Sequence, residues 1–238
     1  MLNNQVTLLN RGSDGLVYSF QKDKVIKVIN LEKFNLLEIE ILTLLDCIYI
    51  SKAIKIIIED YKIKIFQDRA VCDLNNWINI NKQKKYFSIE KRLKYIRQIV
   101  HAVDYLFSKN ILHGDLKPSN ILLYNDILKL NDFSMSRKLD SVKFNQNRKL
   151  YTLGYRPPEC VNNKYHQNSD IWALGCTIYE IYYGKKYFKF DNSGTQYHLK
   201  DLEENKLENN FINKIIKKTI VKDPDKRISI KELKSYFN

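Results

Sequence analysis

Asp115, Lys117 and Asn120 fall within six residues of one another in His113-Gly114-Asp115-Leu116-Lys117-Pro118-Ser119-Asn120. A carboxylate can accept a hydroxyl's proton, an ammonium can neutralise charge on a moving phosphoryl group, and a carboxamide oxygen can ligate magnesium. Phosphoryl transfer asks for all three. A polar turn between an apolar helix and a strand would also produce such a run, so the flanking sequence must decide. Twelve positions after Asn120 comes Asp132-Phe133-Ser134, reached through Ile121-Leu122-Leu123 and Ile127-Leu128-Lys129-Leu130 around Asn125-Asp126. Two apolar runs about an Asn-Asp pair read as a short hairpin, which returns a second carboxylate beside the first.

These segments resemble the catalytic loop H-x-D-L-x-x-x-N and the D-F-G motif of the eukaryotic protein kinases. The resemblance implies Asp115 as catalytic base with Lys117 beside it, Asn120 and Asp132 as magnesium ligands, and ATP with Mg2+ as the reactants they handle. Ser134 replaces the family's glycine and reduces the freedom of that segment to flip, because a non-glycine residue resists positive φ. Upstream, Asn10-Arg11-Gly12-Ser13-Asp14-Gly15-Leu16-Val17 resembles the glycine-rich loop, with Asn10 in the first glycine's place. By that match Asn10, Gly12, Gly15 and Val17 cover the ATP phosphates. Val25-Ile26-Lys27-Val28-Ile29 resembles the strand of the phosphate-binding lysine, which makes Lys27 that residue.

The elements that must position these groups can be read beside the motifs. Strands are expected at Val6 to Leu9, Leu16 to Phe20, Lys24 to Ile29, Ala53 to Ile58 and Tyr61 to Phe66, the last two joined at Glu59-Asp60. Apolar residues at Phe34, Leu37, Ile41, Leu42 and Leu45 predict a helix from Leu31 to Leu45. On it Glu38 aligns with the glutamate that orients the family's lysine, while Glu40 points to another face. Residues 67–71 are the expected hinge, with Asp68 and Val71 contacting the nucleotide and Phe66 or Gln67 guarding the pocket behind. Further helices are expected from Ser88, at Asn168 to Tyr183, at Asn209 to Ile220 and at Ile230 to Phe237. The resemblance thus implies an α+β, bilobal fold: a small antiparallel sheet lobe with one helix over about 1–68, and a mainly helical large lobe over about 72–238, in one catalytic domain.

The downstream half carries further matches. Thr152-Leu153-Gly154-Tyr155-Arg156-Pro157-Pro158-Glu159 looks like the end of an activation segment, and Ser169-Asp170-Ile171-Trp172-Ala173-Leu174-Gly175-Cys176 like the buried helix after it. The resemblance pairs Glu159 with Arg227 and gives Asp170 the task of anchoring the catalytic-loop backbone. Lys117 and Thr152 match the serine/threonine kinases, in which the threonine shapes the acceptor pocket. The string from Thr152 to Glu159 looks most like the cyclin-dependent and related kinases, whose arginine here accompanies preference for proline after the acceptor. Gly154 replaces their usual tryptophan. Gly114 replaces the arginine that grips an activation-loop phosphate, and Asn145-Gln146-Asn147 offers no hydroxyl there. Both halves of that switch are therefore expected to be missing, with Ser141 and Tyr151 as less apt targets. A pseudokinase or kinase mimic, acting as a binding module, is the alternative reading, but its usual mark is loss of a charged catalytic group, and Lys27, Asp115, Asn120 and Asp132 are all present.

Composition sets the outer bounds. The 238 residues are 44% hydrophobic and 28% charged, an ordinary globular balance. No apolar run approaches the roughly 20 residues that cross a bilayer, and Met1-Leu2-Asn3-Asn4-Gln5 lacks a basic-then-apolar signal. An intracellular protein, in cytoplasm or nucleus and without membrane attachment, is expected. Cys47, Cys72, Cys160 and Cys176 have no metal-site or disulfide spacing. The net charge of +13 comes in short, dispersed basic runs, which speaks against a nucleic-acid partner and favours acidic protein substrates, with an activating protein subunit as a further expected partner.

Overall fold

In Lys62–Asp68 the side chains of Ile63, Ile65 and Gln67 are buried while Lys62 and Asp68 face solvent, the period-two alternation of a strand with one covered face. This strand, β5, belongs to an antiparallel sheet with β1 (Leu8–Arg11), β2 (Leu16–Phe20), β3 (Lys24–Asn30) and β4 (Lys55–Glu59), in the order β1-β2-β3-β5-β4. The computed structural model describes residues 6–11, 15–83, 88–139, 150–162, 164–190, 196–198 and 211–237. Gly12, Ser141, Arg148 and the Asn-Gln-Asn run at 145–147 lie outside them. The β4–β5 turn is at Asp60-Tyr61, one residue later than the expected joint, because both residues take positive φ (48° and 55°) as a two-residue hairpin turn demands. Asn125 and Asp126 do the same (42° and 71°) between β8 (Ile121–Tyr124) and β9 (Ile127–Leu130).

The helix expected from Leu31 begins later. Leu31–Lys33 forms one 3-10 turn, the chain is extended through Phe34 and Asn35, and α1 runs over Leu36–Leu44. Asn35 is the reason: its side chain accepts the Leu37 N–H, the local bond that makes asparagine a helix starter and a poor helix interior. In the large lobe, α2 (Leu74–Asn81) was not foreseen, since its Asn-rich sequence hides the three buried residues Leu74, Trp77 and Ile78. α3 (Ile89–Ser108) lays its apolar face on the core, and α4 (Gln167–Tyr183) is buried continuously from Ser169 to Ile181. α5 (Phe211–Thr219) crosses α4 so closely that an added Cβ on Gly175 would stand 2.8 Å from Thr219 Cβ. α6 (Ile230–Ser235) closes the lobe against α3.

The two lobes are joined by more than the connecting strand. Ser51 N–H donates to Leu130 O (2.9 Å), and Leu130 N–H to Tyr49 O (2.8 Å), pinning the segment after α1 onto β9. The sheet lobe and the helical lobe thereby meet along the face that carries Lys27, Glu38, Asp115 and Asp132.

Candidate active site

Lys27 lies on β3 opposite Val17 of β2, and two elements converge on it. Its Nζ is 2.8 Å from Glu38 Oε1 on α1 and 3.0 Å from Asp132 Oδ1 after β9. Burial works against charge on this lysine, but the two carboxylates outweigh it and hold its pKa above the ordinary value. For Asp132 burial pulls upward, and Lys27 more than offsets it, so the carboxyl sits below its ordinary value and stays ionised. Glu40, on another face, pairs instead with Lys138 of β10 (Arg137–Lys138), at 2.6 Å.

The loop that carries Asp115 follows β7 (Ile111–Leu112) and is held from beneath by Asp170. That buried carboxylate accepts His113 N–H (2.6 Å), Gly114 N–H (3.2 Å) and the Tyr151 hydroxyl (2.9 Å). Buried charge is tolerated where donors converge on it, as here. His113 accepts the Asp115 N–H at Nδ1 and faces Asn131 O with Nε2, which fixes the neutral tautomer protonated at Nε2.

Above this base Asp115 gathers its neighbours. Oδ1 accepts both the N–H and the hydroxyl of Thr152, each at 2.8 Å, while Oδ2 receives Asn120 Nδ2 (3.0 Å) and Lys117 Nζ (2.7 Å). Lys117 also donates to Thr152 Oγ1 at 2.6 Å, closing a triangle of carboxylate, ammonium and hydroxyl. Asn120 spends its amide nitrogen on Asp115, so its carboxamide oxygen takes no hydrogen bond among the described residues. That oxygen and the Asp132 carboxylate, a third of whose side chain is exposed, are hard donors of the kind magnesium selects, and they suit that ion.

The segment expected as the hinge is arranged differently from expectation in one place. Val71 donates its N–H to Leu123 O (2.8 Å) and its side chain is exposed, because the chain is already pairing β6 (Cys72–Asp73) with β8. Arg69 N–H is taken by Asp23 O, and Asp68 uses its side chain on Lys24 and its carbonyl on the Tyr124 hydroxyl. Among the described residues no hydrogen bond takes up the Ala70 N–H, whereas that of Val71 is spent on Leu123. Gln67, not Phe66, is the buried residue behind, its amide within 3.5 Å of Asn131 Oδ1. Asn10 pairs with Val17 across the β1–β2 ladder after a bulge at Leu8 to Asn10, and a Cβ on Gly15 would run into the Val28 carbonyl.

Two further contacts bind the stretch from Tyr151 to Glu159. Glu159 meets Arg227 as a bidentate pair at 2.6 and 2.7 Å, with Arg227 also over the Trp172 ring at 5.2 Å. Tyr151, weighed above as a modification target, is buried with its hydroxyl on Asp170, and burial keeps that phenol protonated as a donor. It takes φ of 63° and donates its N–H to Gly114 O at 2.7 Å. Gly114 itself has φ of 78°, and a Cβ there would lie 2.5 Å from Met135 O, so no arginine could occupy this position without moving the chain.

The family model described as "Protein kinase domain" matches residues 5–237. The chain belongs to the protein kinase family. Among curated relatives, this kinase domain is 37% identical over 131 residues to serine/threonine-protein kinase nekl-2 of Caenorhabditis elegans, covering 54% of the chain and 34% of the relative. It is 32% identical over 161 residues to Aurora/IPL1-related protein kinase 2 of Caenorhabditis briggsae (65% and 52%), and 28% over 181 residues to dual specificity protein kinase TTK of Mus musculus (68% and 21%). The kinase domain thus spans from about a fifth to about half of the length of these relatives. Their names belong to groups other than the cyclin-dependent one, so the short string from Thr152 to Glu159 does not establish that subgroup. No described helix is long and apolar enough to cross a membrane.

Proposed function

We propose that this chain transfers the γ-phosphoryl group of Mg-ATP to serine and threonine hydroxyls of proteins. The observation that carries the reading is the convergence of Asp115, Lys117, Asn120 and Thr152 on one side of the cleft with the Lys27–Glu38–Asp132 cluster on the other. Lys27, oriented by Glu38, binds phosphate oxygens, and the Ala70 N–H supplies a backbone donor for the base. Asn120 and Asp132 hold magnesium, which when bound neutralises charge on the phosphates. Asp115 orients the acceptor hydroxyl and takes its proton at Oδ2, once Lys117 turns from that oxygen to the transferring group. Thr152, fixed to Asp115 and Lys117, shapes the floor on which the acceptor side chain rests. ATP places the activity inside the cell, in cytoplasm or nucleus. The exposed Leu36 and Leu44 on α1 are the surface an activating subunit would take.

The geometry next to Thr152 favours proline after the acceptor. Tyr151 takes positive φ, and its carbonyl is bound by both Arg156 Nε (3.0 Å) and Nη2 (2.7 Å). A substrate N–H arriving there finds its nearest backbone acceptor already taken, and an unsatisfied donor costs about 1–3 kcal/mol. Proline brings no N–H. Peptides with Ser-Pro are therefore expected to show kcat/KM about tenfold or more above matched Ser-Ala peptides, by the 1.4 kcal/mol per decade relation. Equal rates for the two would refute the preference, and comparable labelling of tyrosine peptides would refute the hydroxyl class.

A further inference from the structure

Asn35 is not part of any motif, yet its side chain bridges the two elements that deliver carboxylates to Lys27. Its Oδ1 accepts Leu37 N–H at 3.2 Å, starting α1. Its Nδ2 donates to three carbonyls of the segment that follows Asp132: Phe133 O at 3.2 Å, Ser134 O at 3.2 Å and Ser136 O at 2.9 Å. Carbonyls only accept and a backbone N–H only donates, so the partners fix the orientation of the amide. Glu38 stands three residues after Asn35, within the first turn of α1, and Asp132 immediately precedes Phe133. One part-buried carboxamide therefore spans both approaches to the lysine. The second link between these elements, Lys138 with Glu40, is substantially exposed and contributes little by comparison.

We propose that Asn35 is a positioning residue for phosphoryl transfer, an internal clamp that keeps α1 and the 132–136 segment in register so that Glu38 and Asp132 reach Lys27 together. The bland alternative is a helix cap and nothing more, and one substitution separates them. Aspartate caps a helix N-terminus as well as asparagine does, but its carboxylate would face three carbonyl oxygens with no donor. Asn35→Asp should keep the cap on α1 while lowering kcat about tenfold, or about 1.4 kcal/mol of barrier, with KM for the acceptor peptide within about twofold. Asn35→Ser, whose hydroxyl caps but is too short to reach the carbonyls, should behave alike and serves if the first variant folds poorly.

The clamp rests on the kinase reading only for its effect on turnover, so backbone amide exchange is measured on the same proteins. In both variants the peptides covering 131–139 should exchange faster than in the parent. Unchanged exchange there, or faster exchange with kcat within twofold of the parent, overturns the proposal. A parent protein that transfers no phosphate would instead refute the proposed function, and the exchange of 131–139 would still decide whether Asn35 holds that segment.

Discussion

Asp132→Asn should lower turnover at saturating ATP and peptide by about 100- to 1,000-fold, the loss typical when one preorganised electrostatic group is removed from a reacting centre. The substitution keeps shape and removes charge. Lys27 would retain Glu38 at 2.8 Å, so the lysine should stay in place, while the carboxylate that suits magnesium is gone. Because Asp132 is a third exposed, the folded state should tolerate the change, and the thermal midpoint should move little. Steady-state turnover and a melting curve on the same preparation check this. Turnover within threefold of the parent would remove Asp132 from the chemistry.

The largest effect on stability is expected at Arg227. Its guanidinium is fully buried and holds Glu159 with two bonds, while Nε, Nη1 and Nη2 also satisfy the carbonyls of Val221, Asn168 and Lys222. Removing one partner of a buried pair leaves the other charge uncompensated, at a cost of about 3–5 kcal/mol. Domains of this size are stable by only about 5–15 kcal/mol, so Arg227→Met should lose about a fifth or more of the total. Arg227→Lys should fall between, since an ammonium cannot reproduce the planar fork. Urea unfolding monitored by tryptophan fluorescence gives the difference, and a loss below about 1 kcal/mol would mean the pair is dispensable. The same contact ties Glu159, at the end of the activation segment, to the C-terminal part of the large lobe, so partial unfolding there should blunt activity first.

What the sequence disclosed depends on how local each signal was. The strands and the longer helices were legible because alternation and 3.6-residue periodicity are written along one segment, and the wrong start of α1 came from reading apolar spacing while overlooking Asn35 as a cap. Lys27, Glu38, Asp115, Asn120 and Asp132 stood out because the types and spacings are unusual, and the fold brings them to one cleft. Asn35 and Tyr151 could not be read in the same way. Their partners are the carbonyls at 133, 134 and 136 and the Asp170 carboxylate, contributed from far along the chain, and no spacing encodes them. The engagement of Val71 was hidden for a related reason: its N–H is claimed by Leu123, a pairing visible only once β6 and β8 meet. Ser134, read as a stiffener of its segment, is buried against Asn35 through its carbonyl, which adds to that restraint.

Transfer of labelled phosphate from γ-labelled ATP to a basic test protein and to a Ser-Pro peptide, with and without magnesium, tests the central claim most directly. Asp115→Asn is run in parallel, because Asp115 is the group that Lys117, Asn120 and Thr152 all contact. The account predicts metal-dependent label on serine and threonine with the parent protein, and a loss of about 100- to 10,000-fold with Asp115→Asn, the range for removal of a general base. Absence of label from the parent protein, or equal labelling by the variant, would contradict it.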